Sequence, residues 1–234
     1  ARAHAEANLQ NARELFESVL DDAFNKFTGE VAEKKLDELI TISHGFAFKS
    51  ADFGVSNEPA LPIVLTPGNY TEDACLNFSE KNTKRFTGVI PPDFLYASGD
   101  LTVVMTDLSS KMKILGKPAF IENETILHNQ RIGRVRFKST ELDSRLLFHF
   151  LRTQAAQKPI RETATGTMVR HTAPKRILNL EMRFPTSLSD QERVVAQIDE
   201  VEAETIRLRN RYIETVKDLD DLRQSLLQKA FAGE

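Results

Sequence analysis

Asn129, Gln130 and Arg131 stand side by side. An Asn or Gln amide can match the N6/N7 edge of adenine, and a guanidinium the O6/N7 edge of guanine, each through paired hydrogen bonds. The same side chains could instead fasten a turn, because amides bond backbone groups equally well. Several cations suit phosphate. Lys49 follows an aromatic stretch, and Lys84 and Arg85 lie with Lys81 in a polar one. Lys111, Lys113 and Lys117 bracket Gly116. Thr165, Thr167, Arg170, His171 and Lys175 combine hydroxyl and cationic donors, the types that position a nucleic-acid backbone without reading its sequence. Lys49 reads equally well as an ordinary surface lysine. Phe46 and Phe48 read as core rather than as a stacking platform.

The net charge of −3 conceals an asymmetry. Residues 1–80 carry 6 basic and 14 acidic side chains, residues 81–183 carry 18 and 9, and residues 184–234 carry 7 and 11. A basic middle between acidic flanks is the footprint of a polyanion-binding module on a scaffold.

Catalytic constellations do not emerge. No glycine-rich phosphate loop, zinc-protease helix or serine elbow occurs. His4, His44, His128, His149 and His171 have no ligand spacing, and one cysteine, Cys75, gives neither a disulfide framework nor a multi-cysteine metal site. Ile90-Pro91-Pro92-Asp93-Phe94 faintly resembles the Asn-Pro-Pro-aromatic loop of amino-methyltransferases, but Ile90 replaces the Asn, and a plain turn is the simpler reading. No metal or bound cofactor is expected in this chain. No run of about 18 apolar residues suggests a membrane span, and no signal-peptide core opens the chain, so a cytoplasmic location is expected. The chain begins without Met and in a helical pattern, which suggests a piece of a longer or processed protein.

The elements that must position these residues can be sketched. Ser189 and Glu192 have capping-box spacing, and no Gly or Pro interrupts Ser189 to Ala230. The spacing predicts a helical rod of about 42 residues, roughly 60 Å long. Its four-three stripe runs through Val194, Ile198, Val201, Leu208, Leu219, Leu222 and Leu226. Ala5, Leu9, Ala12, Phe16, Val19 and Ala23 form a matching stripe near the start. The two helices can pair antiparallel, but the first is too short to cover the second, so a second copy of the chain is expected along the remainder. Residues 14–24 and 221–231 also repeat each other at an offset of 207, each followed by Gly-Glu (Gly29-Glu30, Gly233-Glu234). Between the helices, strands are expected within residues 61–69, where the strand runs into a turn at Pro67-Gly68-Asn69, and at 100–107, 119–121, 134–137 and 177–184, with one amphipathic helix from Leu142 to Gln157. The expected fold class is α+β: a mixed α/β domain over 31–184, bracketed by helices at 1–30 and 185–234 that form a long antiparallel coiled-coil stalk.

Six segments in order resemble the specificity subunits of type I restriction–modification systems. Ile42 through Ser50 resembles the start of a target-recognition domain, and Gly99-Asp100-Leu101 through Leu108 the strand that follows. Asn129 through Arg134 is similar to the family's Asn-Gln-Arg segment, and Thr165 through Ile177 to its late loop. Pro185 with Gln191-Glu192-Arg193 resembles the start of a conserved helix, and Ala7 through Phe16 the central conserved helix. One recognition domain between two helical segments resembles the C-terminal half of such a subunit, either as a fragment or as a natural half-subunit. The resemblance implies a non-catalytic, sequence-specific DNA-binding subunit that reads one half of a bipartite site in double-stranded DNA and holds methyltransferase subunits. S-adenosylmethionine would sit on those partners, and ATP and Mg on a separate restriction subunit. Because family members read different sequences, Asn129 and Gln130 could serve the fold instead of a base. The second reading is a coiled-coil protein-interaction scaffold whose basic module meets an acidic partner. A DNA-modifying enzyme in its own right is the third, and lacks a cofactor motif.

Overall fold

The computed structural model describes residues 2–54, 61–122 and 125–232; the Gly233-Glu234 pair of the repeat lies outside them. In chain order the elements begin with α1 (Arg2–Asn25), β1 (Val31–Lys35), α2 (Leu36–Leu39), β2 (Ile40–His44), β3 (Phe53–Gly54) and β4 (Ile63–Val64). Next come β5 (Arg85–Phe86), β6 (Leu101–Val104), β7 (Thr106–Asp107), β8 (Pro118–Phe120), β9 (Ile126–Leu127) and β10 (Ile132–Phe137). The chain ends with α3 (Ser144–Phe150), α4 (Gln154–Glu162), β11 (Arg170–His171), α5 (Pro174–Leu178), β12 (Glu181–Pro185) and α6 (Leu188–Ala232). Two units result: residues 1–27 with 192–234, and residues 28–191.

The mixed unit rests on two four-stranded sheets, ordered β2-β10-β6-β8 and β3-β5-β4-β9. The first is antiparallel throughout; in the second, β4 and β9 run parallel. Alternation in β2 buries Ile40 and Ile42 and exposes Thr41 and Ser43, whereas Leu101 to Val104 of β6 are all buried. Ile63, Leu65, Tyr70, Tyr96, Val104, Ile121, Ile126 and Ile132 form one apolar cluster. β1 pairs with β12, so the chain enters and leaves this unit on adjacent strands. The Pro185…Gln191 spacing has a mechanical reason. Buried Gln191 accepts the Asp143 N–H (2.7 Å) and donates to the carbonyls of Glu141 and Pro185 (2.8 Å each).

Several expectations are corrected. The helix over Leu142–Gln157 is two helices. Asp143 caps the first by accepting the N–H groups of Arg145 and Leu146, and Thr153 caps the second by accepting that of Ala156. The strand over 100–107 breaks at Met105, whose N–H donates to Arg131 and whose carbonyl accepts Thr172. The strand expected from Ile177 is shortened because Pro174 occupies the first turn of α5, where its fixed φ suits a helix start. α6 begins at Leu188, and the Ser189 hydroxyl meets that of Ser187 (2.8 Å), so the Ser189–Glu192 capping box does not form the helix end.

In the helical unit, Arg2 of α1 pairs with Asp220 of α6 at 3.0 Å. The segments following α1 and preceding α6 meet where Thr186 N–H donates to Glu30. The two helices therefore run antiparallel. Some covered positions differ from the expected stripes by one residue. Leu20 and Phe24 are buried where Val19 and Ala23 were expected, and Leu9 and Val19 are half-buried. In α6, Ile198 is buried and Val194, Val201, Arg209, Tyr212, Leu219 and Asp220 are half-buried, while Leu208 and Thr215 are exposed. The covered positions Ile198, Glu202, Thr205, Arg209, Tyr212, Val216 and Leu219 keep four-three spacing, so the heptad persists, with Arg209 and Val216 covered in place of Leu208 and Thr215. Beyond Asp220, Leu222 and Leu226 are exposed, at 56% and 59%, and Phe231 at 88%.

Candidate nucleic-acid interface

The site grows from the turn between β9 and β10. Asn129 Oδ1 accepts the Arg131 N–H (3.0 Å), and the Asn129 carbonyl accepts that of Ile132 (3.0 Å). Phe46 fixes the turn from outside: its N–H donates to His128 (2.8 Å) and its carbonyl accepts Gln130 N–H (3.0 Å). This approach needs Gly45, because a Cβ there would lie 2.2 Å from the His128 carbonyl oxygen. Asn129 thus serves the turn. The side chains of Gln130 and Arg131 are exposed and make no hydrogen bond among the described residues.

Beneath the turn, His128 is 2% exposed and its Nε2–H donates to the Ile132 carbonyl (2.8 Å). Burial above all, with help from the Arg134 charge, pulls its pKa down to about 4. Asp100 anchors β10. It binds Arg134 (2.5 Å) and Arg136 through its two oxygens, and accepts the Ala97 N–H (2.8 Å). Burial works against its charge, but these donors hold its carboxyl below the usual range.

The arm from Thr66 to Lys84 forms a second wall, organised by two asparagines. Fully buried Asn69 accepts the Thr66 N–H and hydroxyl (2.9 Å each) and donates to the carbonyls of Asn82 (3.2 Å) and Asn77 (3.4 Å). Asn82 accepts the Ser79 N–H (2.7 Å) and donates to Gly68 and Asn77 (3.0 Å each). So braced, the arm presents Lys81 and Lys84 across from the turn, with the Lys84 ammonium 5.4 Å from the Phe53 ring centroid. A cleft of about 330 Å³ lies between arm and turn. Phe48, Phe53, Pro67 and Leu108 give it apolar walls, and Gln130 lines it too. Lys81, Lys84 and Arg131 are its charged lining among the described residues, with no carboxylate. Like charges without counter-ions favour a polyanion.

The other sequence candidates fall elsewhere. Lys49 is exposed one residue past Phe48. Arg85 is half-buried, its guanidinium donating to the Leu61 carbonyl (2.7 Å). Lys113 pairs with Glu72 (2.6 Å), and Lys111 is exposed. β11 pairs with β7, which brings the 165–171 loop beside the loop that carries both lysines. There Thr165 and Thr167 are exposed, but Arg170 folds back to donate to the Gly166 carbonyl (2.6 Å) and lies 3.3 Å from Met112 Sδ. The His171 ring meets the Thr106 hydroxyl (3.1 Å). Lys175 is exposed on α5. The structure therefore unites Lys84, Asn129, Gln130 and Arg131 in one cleft, and gives Arg85, Arg170 and His171 structural partners. The sequence reading missed Asn69, Phe53 and Leu108; only the Pro67-Gly68-Asn69 turn signal pointed towards the first.

The architecture has relatives. A chain from a type I restriction–modification system, studied for its complex assembly and conformational transition, superimposes with a TM-score of 0.73 at 17% identity, covering 98% of this chain and 54% of that one. The HsdS subunit from Thermoanaerobacter tengcongensis gives 0.64 at 16% identity, covering 99% and 54%. In sequence, the specificity subunit of the type I restriction enzyme MjaVIII from Methanocaldococcus jannaschii is 25% identical over 181 residues, 74% of this chain and 41% of that protein. This chain has the fold of a type I specificity subunit. It spans about half the length of these relatives. No protein-family profile matches it. The specificity-subunit fold corresponds to the expected α+β domain with flanking helices. Among the described residues, no helix is long and apolar enough to cross a membrane.

Proposed function

We propose that this chain is a non-catalytic DNA-recognition subunit of a type I restriction–modification enzyme. Its mixed domain reads one half of a bipartite site, and its helices hold methyltransferase subunits and a second copy of the chain. The observation that carries the reading is the acid-free cleft, in which unengaged Gln130 and Arg131 face Lys81 and Lys84 on a specificity-subunit fold. Lys49, Lys111 and Lys175, exposed, extend the cationic surface towards phosphates. The apolar residues of α6 past Asp220 support the second copy, since an exposed stripe of that length is rarely left uncovered in a soluble assembly. Two identical domains related by a two-fold axis would face a palindromic site.

Selection from random duplex DNA by the chain with its methyltransferase partners tests this. The expected outcome is a bipartite sequence, with log K falling by roughly 0.9 per phosphate contact against log salt. Recovery of unenriched DNA, or binding insensitive to salt, would overturn it. Sedimentation of a Leu219→Asp, Leu226→Asp variant tests the pairing: it should be monomeric where the parent is dimeric.

A further inference from the structure

We infer that the cleft beside the Asn129–Arg131 turn reads an A·T base pair, with Leu108 seating the thymine 5-methyl group while Gln130 bonds the adenine edge. The inference deepens the DNA-reading proposal and rests on it.

Leu108 lines the cleft with Gln130 and Arg131, yet is 57% exposed. A lone exposed leucine needs no explanation. This one is held in place. It follows Asp107, whose backbone pairs with Arg170 and whose buried carboxylate accepts the N–H groups of Ser109 (2.8 Å) and Ile114 (2.9 Å). One residue beyond that pair on the opposite strand stands Val169, also exposed (38%). Leu108 is therefore fixed in the lining of a cationic cleft, with Val169 opposite it across the β7–β11 pairing. The turn beside them is tied to the same strand region, because Met105 N–H donates to Arg131 (2.9 Å).

An A·T pair offers the matching pattern in the major groove. Adenine presents an acceptor and a donor, and thymine adds the methyl group. The Gln130 amide supplies a donor and an acceptor and is unengaged within the described chain. The methyl wants an apolar neighbour, and Leu108 is the exposed aliphatic side chain among the cleft residues. A G·C pair would offer no methyl and would set a cytosine amino group against Leu108 without an acceptor.

The test uses the preferred site recovered by selection, with each thymine replaced singly by deoxyuridine, which removes only the methyl. At one position the parent should lose about three- to fivefold in affinity, the worth of burying one methyl group. Leu108→Ser should lose less than about 1.5-fold on the same replacement, as a methyl it no longer contacts is worth little. Gln130→Ala should lose its preference for adenine at that pair. If the parent tolerates every deoxyuridine, or Leu108→Ser keeps the full penalty, the inference is overturned while DNA reading stands. If no preferred site is recovered, both fall.

Discussion

His128 makes this fold sensitive to acid in a calculable way. Its ring is 2% exposed, donates to Ile132, and lies 4.9 Å from the Tyr96 ring centroid. The folded chain keeps it neutral down to about pH 4, whereas the ordinary value is 6.5. Between those values the unfolded chain binds a proton that the folded chain does not. Stability from this group is therefore complete above pH 6.5 and is lost as pH falls through about 4. Linkage gives a loss of about 2 kcal/mol by pH 5 and about 3 kcal/mol by pH 4. The depressed Asp100 carboxyl adds a further loss at lower pH, below the ordinary carboxylate value, so the useful quantity is a difference between two proteins. His128→Gln can still donate to Ile132 but cannot titrate. Urea unfolding followed by circular dichroism should show the parent losing about 2 kcal/mol more than the variant between about pH 7.5 and pH 5. A difference that stays constant to about 0.5 kcal/mol would mean that His128 is not held neutral by burial.

Asn69→Ala should lower stability by about 2–3 kcal/mol, because it strips partners from several buried backbone and hydroxyl groups, and it should weaken DNA binding by loosening Lys81 and Lys84; thermal melts and mobility shifts measure the two effects. Arg131→Ala and Lys84→Ala should each weaken binding by about 1 kcal/mol and flatten its salt dependence. Arg170→Ala should also lower the melting temperature, since its guanidinium braces the Gly166 carbonyl. Inserting eleven residues after Asp221, past the Arg2–Asp220 pair, should add about 16 Å of rod. Binding-site selection should then show a gap between half-sites longer by about five base pairs with unchanged half-site sequence.

The sequence carried the long helices because an apolar stripe repeated over many turns cannot be mistaken for a strand. It carried the Asn-Gln-Arg turn because three polar residues between two apolar runs leave little else. It did not carry the division of labour within that turn. Asn129 and Gln130 differ by one methylene, and only the position of the Arg131 N–H decides which amide is spent on the backbone. Arg170 and Arg131 are likewise identical in type; the Gly166 carbonyl beside one and open space beside the other separate them. Which neighbours of the stalk stripe are covered, Arg209 rather than Leu208 and Val216 rather than Thr215, depends on the packing partner and not on four-three spacing alone. Leu108 was invisible because an apolar residue at a strand end reads as core, and its exposure is set by the fold around β7.

The β1–β12 clasp also dictates an order of assembly. Before the mixed domain folds, α1 and α6 are tethered by a loop of more than 150 flexible residues. Once the clasp closes at Val31 and Pro185, the same helices are joined by what is in effect a tight hairpin. Shortening the effective loop that far lowers the entropic cost of helix pairing by about 3 kcal/mol. The globular part should therefore fold first and act as the nucleation point from which the helices zip outward. The part of α6 past the Arg2–Asp220 pair is then the last to zip.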